Sequence, residues 1–378
     1  MPAASILIKP ASANCNMDCE YCFYKCLSSQ REKYSKGFMT ERTLETLVRE
    51  AVAYADGSLT FAFQGGEPTL AGIDFFRKAV ELQKKYNTKN LKIENTIQTN
   101  GLLLNDDWAQ FFHENDFLVG LSLDGPKKIH NRYRKDTEKK DTFDAVMAAA
   151  KRLERYDVAY NIVTVITNDT AKQASFLYKF WKRNRFPFVQ FIPCMDEKER
   201  QKQGSDCYAV QPKIYGKFLC ELFDLWYEDF CRKEAMDIRM FSNLAQMAAG
   251  YPAEECGMNG CCNCYFVVEG DGSVYPCDFY CLDEWKLGQI EDEFSKMIKS
   301  QKAKEFVEVS KHVSKRCTDC SCFSLCRGGC RRWREPFVNG KPGLNQLCEA
   351  YEMFFEHTKE RIEMLGKYIT RTYGNPIL

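Results

Sequence analysis

At 378 residues the chain is long for a single ordinary domain and suited to two, and its 45% hydrophobic fraction is ample for buried cores. Its 53 Lys+Arg nearly cancel its 52 Asp+Glu, which argues against nucleic-acid binding by counterion release and against a polybasic membrane surface. No run approaches the ~18 consecutive apolar residues of a membrane span, and the opening MPAASILIKP lacks the pattern of a secretion signal, so a cytoplasmic protein with neither nucleic acid nor membrane as partner is expected.

The first half alternates strand-like and helix-like segments. Short apolar, β-branched runs occur at Ile6–Ile8, Leu59–Phe63, Leu91–Ile97, Phe117–Leu123, Tyr160–Ile166 and Phe188–Ile192. Amphipathic stretches lie between them, at Thr43–Ala55, Phe75–Tyr86, Trp108–Asn115, Thr142–Tyr156 and Ala171–Asn184. Six such repeats predict parallel βαβ units with right-handed crossovers. The fold class expected is α/β, a partial (β/α)6 TIM-type barrel, with a flat doubly wound sheet as the alternative. Polar and glycine residues gather where the strands end: Cys15, Cys19 and Cys22 after the first, Gln64–Pro68 after the second, Gln98–Gly101 after the third, Ser122–Gly125 after the fourth, and Cys194-Met195 after the sixth. Those are the positions from which βα loops build active sites, which favours the barrel.

From Gln211 to Tyr251 the pattern is helical, through Ile214–Phe230 and Ile238–Ala249. From Cys256 to Cys348 the sequence is Gly- and Cys-rich with few long periodic segments, as in a region held together by its metal ligands. Within it, residues 266–275 read as a hairpin turning at Asp271-Gly272, and a last amphipathic helix is expected over Glu349–Tyr368. The expected domains are therefore residues 1–210, a helical connection at 211–250, and a Cys-rich domain with a C-terminal helix at 251–378.

Twenty cysteines against four histidines is a large excess for a reducing compartment, where disulfides are rare. All-Cys zinc sites remain an alternative, but thiolate-held iron–sulfur clusters use this many cysteines naturally. Cys15-x-x-x-Cys19-x-x-Cys22 can hold three irons of a [4Fe–4S] cube and leave the fourth open, as a catalytic centre needs. A second series, Cys256, Cys261, Cys262, Cys264, Cys277, Cys317, Cys320, Cys322, Cys326, Cys330 and Cys348, holds enough thiolates for two further clusters. Arg327, Arg331, Arg332 and Arg334 sit among these cysteines, either compensating cluster charge or docking an acidic peptide or redox partner.

The CxxxCxxC motif with Tyr21 before its last cysteine, followed by Gly65-Gly66-Glu67-Pro68 after strand two, resembles the radical S-adenosylmethionine superfamily. In that superfamily the cofactor chelates the open iron, and its reductive cleavage yields a 5′-deoxyadenosyl radical that abstracts hydrogen from the substrate. The Cys317–Cys348 spacing resembles the SPASM extension of peptide-modifying members. NCNMDCEYCFY from Asn14, FAFQGGEPT from Phe61, QTNG, LSLDGP, CGMNG and VYPCDFY together resemble the anaerobic sulfatase-maturating enzymes, over nearly the whole chain. That resemblance implies oxidation of a Cys or Ser in a sulfatase Cys/Ser-x-Pro-x-Arg motif to Cα-formylglycine. It implies S-adenosyl-L-methionine and three [4Fe–4S] clusters as cofactors. An unfolded or nascent sulfatase is the implied substrate, and a flavodoxin or ferredoxin the electron donor.

By the same resemblance Cys15, Cys19 and Cys22 hold the catalytic cluster. Cys256, Cys262, Cys277 and Cys330 hold one auxiliary cluster, and Cys317, Cys320, Cys326 and Cys348 the other. Cofactor contacts map to Tyr21, Gly65, Gly66, Glu67, Ser122, Arg134 and Met195, and Asp278 matches the proton acceptor. An aspartate carboxyl is ordinarily ionised at neutral pH and able to accept. Cys261 and Cys264 compete with Cys262 for the second auxiliary position. The runner-up is a maturase of ribosomally made peptides forming thioether or carbon–carbon crosslinks; the short segment before strand one is expected to leave no room for the leader-binding domain many of those carry. Cys26, Cys194, Cys207, Cys220, Cys231, Cys281 and Cys322 have no assigned role, and most of them read as buried free thiols.

Overall fold

The computed structural model describes residues 3–195, 208–337 and 340–374. Compactness divides the chain into two units that interleave in sequence: Met1–Leu123, Lys127–Ile162 and Cys264–Glu305 form one, and Asp124–Pro126, Val163–Asn263 and Phe306–Leu378 the other. The expected α/β fold is found. Its six predicted strands are β1 (Ala4–Ile8), β2 (Ser58–Phe63), β3 (Lys92–Thr99), β4 (Phe117–Ser122), β5 (Tyr160–Ile166) and β6 (Phe188–Pro193), and each is followed by helix.

In the first unit β1 to β4 pair in parallel, in the registers Ile6↔Phe61, Phe61↔Asn95 and Asn95↔Phe117. Leu59, Phe61 and Phe63 alternate into the core because a strand presents every second residue to one face. The helices Glu41–Tyr54, Ile73–Tyr86 and Asp106–Glu114 cover the sheet. Thr40 and Asn105 cap two of them by accepting from the amides of Thr43 and Trp108, satisfying donors a helix start leaves open. Phe63, Phe76 and Trp108 pack edge to face in sequence, with centroids 5.0 and 5.2 Å apart. Each such buried ring contributes on the order of 1.5–3 kcal/mol.

The expected hairpin forms from β8 (Val267–Val268) and β9 (Ser273–Tyr275), with β7 (Asp237–Ile238) preceding it in the chain and β10 (Gly288–Gln289) following. Sequence periodicity did not reveal where it goes. β8 pairs in parallel with β1, Leu7 opposite Val267 and Ile8 opposite Val268, so β1 lies between β8 and β2. This pairing is why residues 264–305 belong to the first unit. Helices that escaped the periodicity reading include Phe23–Ser29, Lys127–Tyr133 and Gln301–Lys311. The first two have seven residues each, too few for a 3.6-residue pattern to stand out.

In the second unit β6 pairs in parallel with β7. The C-terminal helix runs over Cys348–Tyr373 and packs on Pro212–Cys231 and Arg239–Ala248. Phe354 sits 5.8 Å from Phe223 and 6.1 Å from Phe241, centroid to centroid. Arg361 donates to Asp224 at 2.7 Å along the same seam.

Candidate active site

The first cysteine loop leaves β1 and closes on itself through short turns. Met17 donates its amide to Cys15 Sγ at 3.4 Å, and Cys22 donates its amide to the Cys19 carbonyl at 3.4 Å. Asp18, inside the motif, is gripped by Lys25 and Lys139. The amides of Asp18 and Glu20 donate to the carbonyls of Lys135 and Tyr133, so the loop is stapled to the segment that carries Arg134. Burial pushes the Cys15 thiol up to about 12. No described cysteine is in a disulfide, and Cys207 lies outside the described residues. Among the described residues no three His, Cys, Asp or Glu side chains could hold a single ion. A cube takes each thiolate on a different iron, so its ligands need not meet at one point.

The Gly65-Gly66-Glu67 turn follows β2. Gly66 adopts φ +54°, and a Cβ there would be driven into the carbonyl oxygens of Asn14 and Ser12. Only glycine lets this loop lie against the cysteine loop. The Glu67 amide donates to the Asn14 carbonyl at 2.8 Å. Its carboxylate is buried and fully engaged, accepting from Thr69 Oγ1 at 2.6 Å, Thr99 Oγ1 at 2.7 Å and the Asn100 amide at 2.7 Å. Burial raises its pKa, against those hydrogen bonds. The side chain thus ties the ends of β2 and β3 together, leaving backbone groups as what this turn offers a ligand.

Ser122 ends β4 and accepts from Gln98 Nε2 at 3.0 Å. Arg134 is buried, with its guanidinium over the Tyr21 ring, 5.5 Å from the centroid. Thr142 holds its backbone by donating Oγ1 to the Arg134 carbonyl at 2.8 Å. Ser122, Arg134, Tyr21, Gly65, Gly66 and Glu67 all belong to the first unit, and Met195 to the second. Three thiols outside any disulfide, a glycine cradle and a buried guanidinium suited to a carboxylate fit the open cluster and cofactor that the sequence implies.

Asp278 is 5% exposed and three donors converge on it. Lys9 Nζ lies 2.7 Å from Oδ1, Tyr24 OH donates to Oδ2 at 2.6 Å, and Gln64 Nε2 donates to the Tyr24 hydroxyl at 2.8 Å and to Oδ2 at 3.4 Å. Behind Lys9 lies Glu269, fully buried, 3.7 Å from Nζ; it pairs with Arg31 at 2.8 Å and accepts from Ser12 Oγ at 2.7 Å. Burial opposes the Lys9 charge, but Asp278 foremost outweighs it and the ammonium's pKa rises. Burial likewise opposes ionisation of Glu269, and Lys9 and Arg31 bring its pKa below the usual carboxylate range. Two cations and two anions balance in a buried cluster, as buried charges require. Sequence reading singled out Asp278 alone; nothing in spacing marks Lys9, Gln64 or Glu269 as its company.

In the second unit Cys256 is exposed and has Cys330 and then Cys262 as its electrostatic neighbours, ahead of Cys261. The Cys262 amide donates to Ser310 Oγ at 2.7 Å. Burial raises the Cys262 thiol, and Cys330 adds to it. Cys326 is pushed up to about 11 by burial and then by Cys348, Cys317 and Cys320, which share its neighbourhood. Cys277 belongs to the first unit, where its Sγ lies 3.4 Å from the Tyr265 hydroxyl.

Comparison with known proteins settles the family. Residues 10–179 match the radical SAM superfamily model, and residues 259–321 the SPASM iron–sulfur cluster-binding domain. A cysteine-type anaerobic sulfatase-maturating enzyme of Clostridium perfringens is 49% identical, over 96% of this chain and 98% of that one. The chain belongs to the anaerobic sulfatase-maturating enzymes. A serine-type member from Bacteroides thetaiotaomicron is 31% identical, over 96% of this chain and 91% of its own. The solved structure of native anSMEcpe with bound AdoMet and Cp18Cys peptide superposes with a TM-score of 0.91 at 46% identity, covering 97% of this chain and 100% of that one. Streptococcus suis SuiB, at 16% identity and a TM-score of 0.64 over 92% of this chain and 76% of its own, shares the fold.

This sulfatase-maturating enzyme is therefore a radical SAM enzyme, and of the cysteines read as buried thiols Cys231 is exposed while Cys220 and Cys322 are half-buried. The arginines among the auxiliary cysteines were open to a docking role, but two of the four are buried: Arg331 is 3% exposed and Arg334 2%. Arg331 donates to the Phe306 carbonyl at 2.8 Å, and Arg334 to the carbonyls of Ser310 and His312 at 2.8 and 2.9 Å. Arg334 caps the end of the helix Gln301–Lys311, where free carbonyls seek donors, and Arg331 binds the same helix one turn earlier. Arg332 pairs with Glu335, and Arg327 reaches the Met258 carbonyl at 3.3 Å. Among the described residues no helix is long and apolar enough to cross a membrane.

Proposed function

We propose that this enzyme oxidises the cysteine of a sulfatase Cys-x-Pro-x-Arg motif to Cα-formylglycine, in the cytoplasm, on an unfolded or nascent polypeptide, with a flavodoxin- or ferredoxin-type electron donor. The observation that carries the reading is Asp278: a buried carboxylate beside Cys277, held on one oxygen by Lys9 and on the other by Tyr24 and Gln64. Cysteine is favoured over serine because the cysteine-type relatives are 47–49% identical and the serine-type relatives 29–31%.

Cys15, Cys19 and Cys22 would hold the catalytic [4Fe–4S] cluster, with S-adenosylmethionine contacted by Tyr21, Gly65, Gly66, Glu67, Ser122, Arg134 and Met195. Cys256, Cys262, Cys277 and Cys330, and Cys317, Cys320, Cys326 and Cys348, would hold two auxiliary clusters. When bound, these groups would supply a hydrogen-abstracting 5′-deoxyadenosyl radical and one-electron acceptors. The protein's own part is positional. Arg134, fixed over Tyr21 and tied back through Thr142, is placed to grip a carboxylate by paired charged hydrogen bonds. Glu67 locks the turn whose backbone would face the cofactor. When the substrate side chain has lost one Cβ hydrogen atom, it must still lose its thiol proton and one electron to become a thioaldehyde; Asp278 takes that proton. Water then replaces sulfur, releasing hydrogen sulfide and leaving the aldehyde.

The deciding experiment is anaerobic turnover of matched Cys-x-Pro-x-Arg and Ser-x-Pro-x-Arg peptides, read by mass spectrometry. Formylglycine on the cysteine peptide is expected, trapped by a hydrazine as an aldehyde. A thioether or carbon–carbon crosslink in place of aldehyde would overturn the reading and favour the peptide-maturase alternative.

A further inference from the structure

We infer that Lys9 is a positioning residue for the base, fixing the Asp278 carboxylate so that Oδ2 is left toward Tyr24 and Gln64. The inference rests on the reading of Asp278 as proton acceptor and adds a residue that neither the cysteine motifs nor the cofactor loops contain. Lys9 follows β1 directly and is 1% exposed, an unusual place for a lysine. Three separate parts of the site meet on it. Its ammonium takes Asp278 Oδ1 at 2.7 Å, next in sequence to Cys277. The same ammonium stands 4.7 Å from the ring centroid of Tyr24, whose hydroxyl donates to the other oxygen of Asp278. Its methylene stem runs beneath Gly65, where a Cβ would come within 2.6 Å of Cγ and 2.7 Å of Cδ.

That last contact gives Gly65 a reason apart from any cofactor. The turn can close over β1 only if residue 65 has no side chain and residue 9 has a slim one. Lysine satisfies both demands, a narrow stem and a compact point donor at its end, where arginine brings a broad planar head. Glu269, 3.7 Å away and held by Arg31 and Ser12, balances the charge, so the ammonium remains buried and fixed. The carboxylate of Asp278 is thereby held on Oδ1 by the Lys9 ion pair, while Oδ2 accepts from Tyr24 and Gln64.

The test measures formylglycine formed per 5′-deoxyadenosine released, with iron content, in the reconstituted enzyme carrying Lys9→Met, Asp278→Asn or both. Lys9→Met is expected to keep its iron and its adenosine release while the product ratio falls about tenfold or more, the scale of one charge-assisted hydrogen bond lost. In the Asp278→Asn background the same change should lower the ratio no further, because Lys9 acts through Asp278. A merely structural lysine would instead reduce iron and adenosine together, or lower the ratio equally in both backgrounds, and either result overturns the inference. An unchanged ratio in Lys9→Met beside an impaired Asp278→Asn overturns it while leaving the base reading intact. A fully productive Asp278→Asn removes the base reading and the inference with it. Should Lys9→Met not fold, Lys9→Arg carries the test: a lowered ratio with iron retained supports the inference, and a wild-type ratio overturns it.

Discussion

Replacing Asp278 by Asn separates what this carboxylate does for the fold from what it does for the reaction. Asparagine offers one acceptor oxygen and one NH2 donor where aspartate offers two acceptor oxygens. Lys9, Tyr24 and Gln64 all point donors at this side chain, at 2.7, 2.6 and 3.4 Å. Whichever way the amide turns, its NH2 faces a donor. Turned toward Lys9, it strips a buried ammonium of its nearest anion, a loss of about 3–5 kcal/mol when a buried pair is broken. Glu269 at 3.7 Å retains part of that, so the lower end of the range is expected. The melting temperature should fall measurably. The reaction should suffer more: losing a positioned general base lowers the rate by about 10²–10⁴-fold. The assay sets mass spectrometry of a Cys-x-Pro-x-Arg peptide beside chromatography of 5′-deoxyadenosine, with the nucleoside still expected and formylglycine nearly absent. Full peptide conversion by the Asn variant would refute the base assignment, and an unchanged melting temperature would refute the account of the buried pair.

Changing Cys15, Cys19 and Cys22 together to Ala should remove about four of about twelve irons and all cofactor cleavage, leaving the auxiliary pair for iron analysis and spectroscopy to detect. Arg134→Ala should weaken S-adenosylmethionine binding in equilibrium measurements with no loss of iron, because the guanidinium rests on Tyr21 and not on a cysteine. Cys262→Ala should cost one auxiliary cluster, whereas Cys261→Ala should leave iron content unchanged, since Cys256 has Cys330 and Cys262 as its first neighbours; equal losses in the two variants would refute that choice.

Much of this protein was legible in its sequence because the signals are local. A ligand loop must place three thiolates within eight residues, so Cys15, Cys19 and Cys22 stand out wherever the chain goes. Leu59, Phe61 and Phe63 announce a strand by alternation, and Asp271-Gly272 announces a hairpin by its turn. Only the tertiary structure decided what the hairpin pairs with. Its docking on β1 brings Glu269 to Ser12, 257 positions away in sequence, and Asp278 to Tyr24, 254 away. A lone lysine after a strand and a lone glutamate before a turn carry no period and no spacing rule. The reason they matter is that burial makes charge tolerable only in matched pairs, and which residues are matched is settled by packing, not by neighbours along the chain.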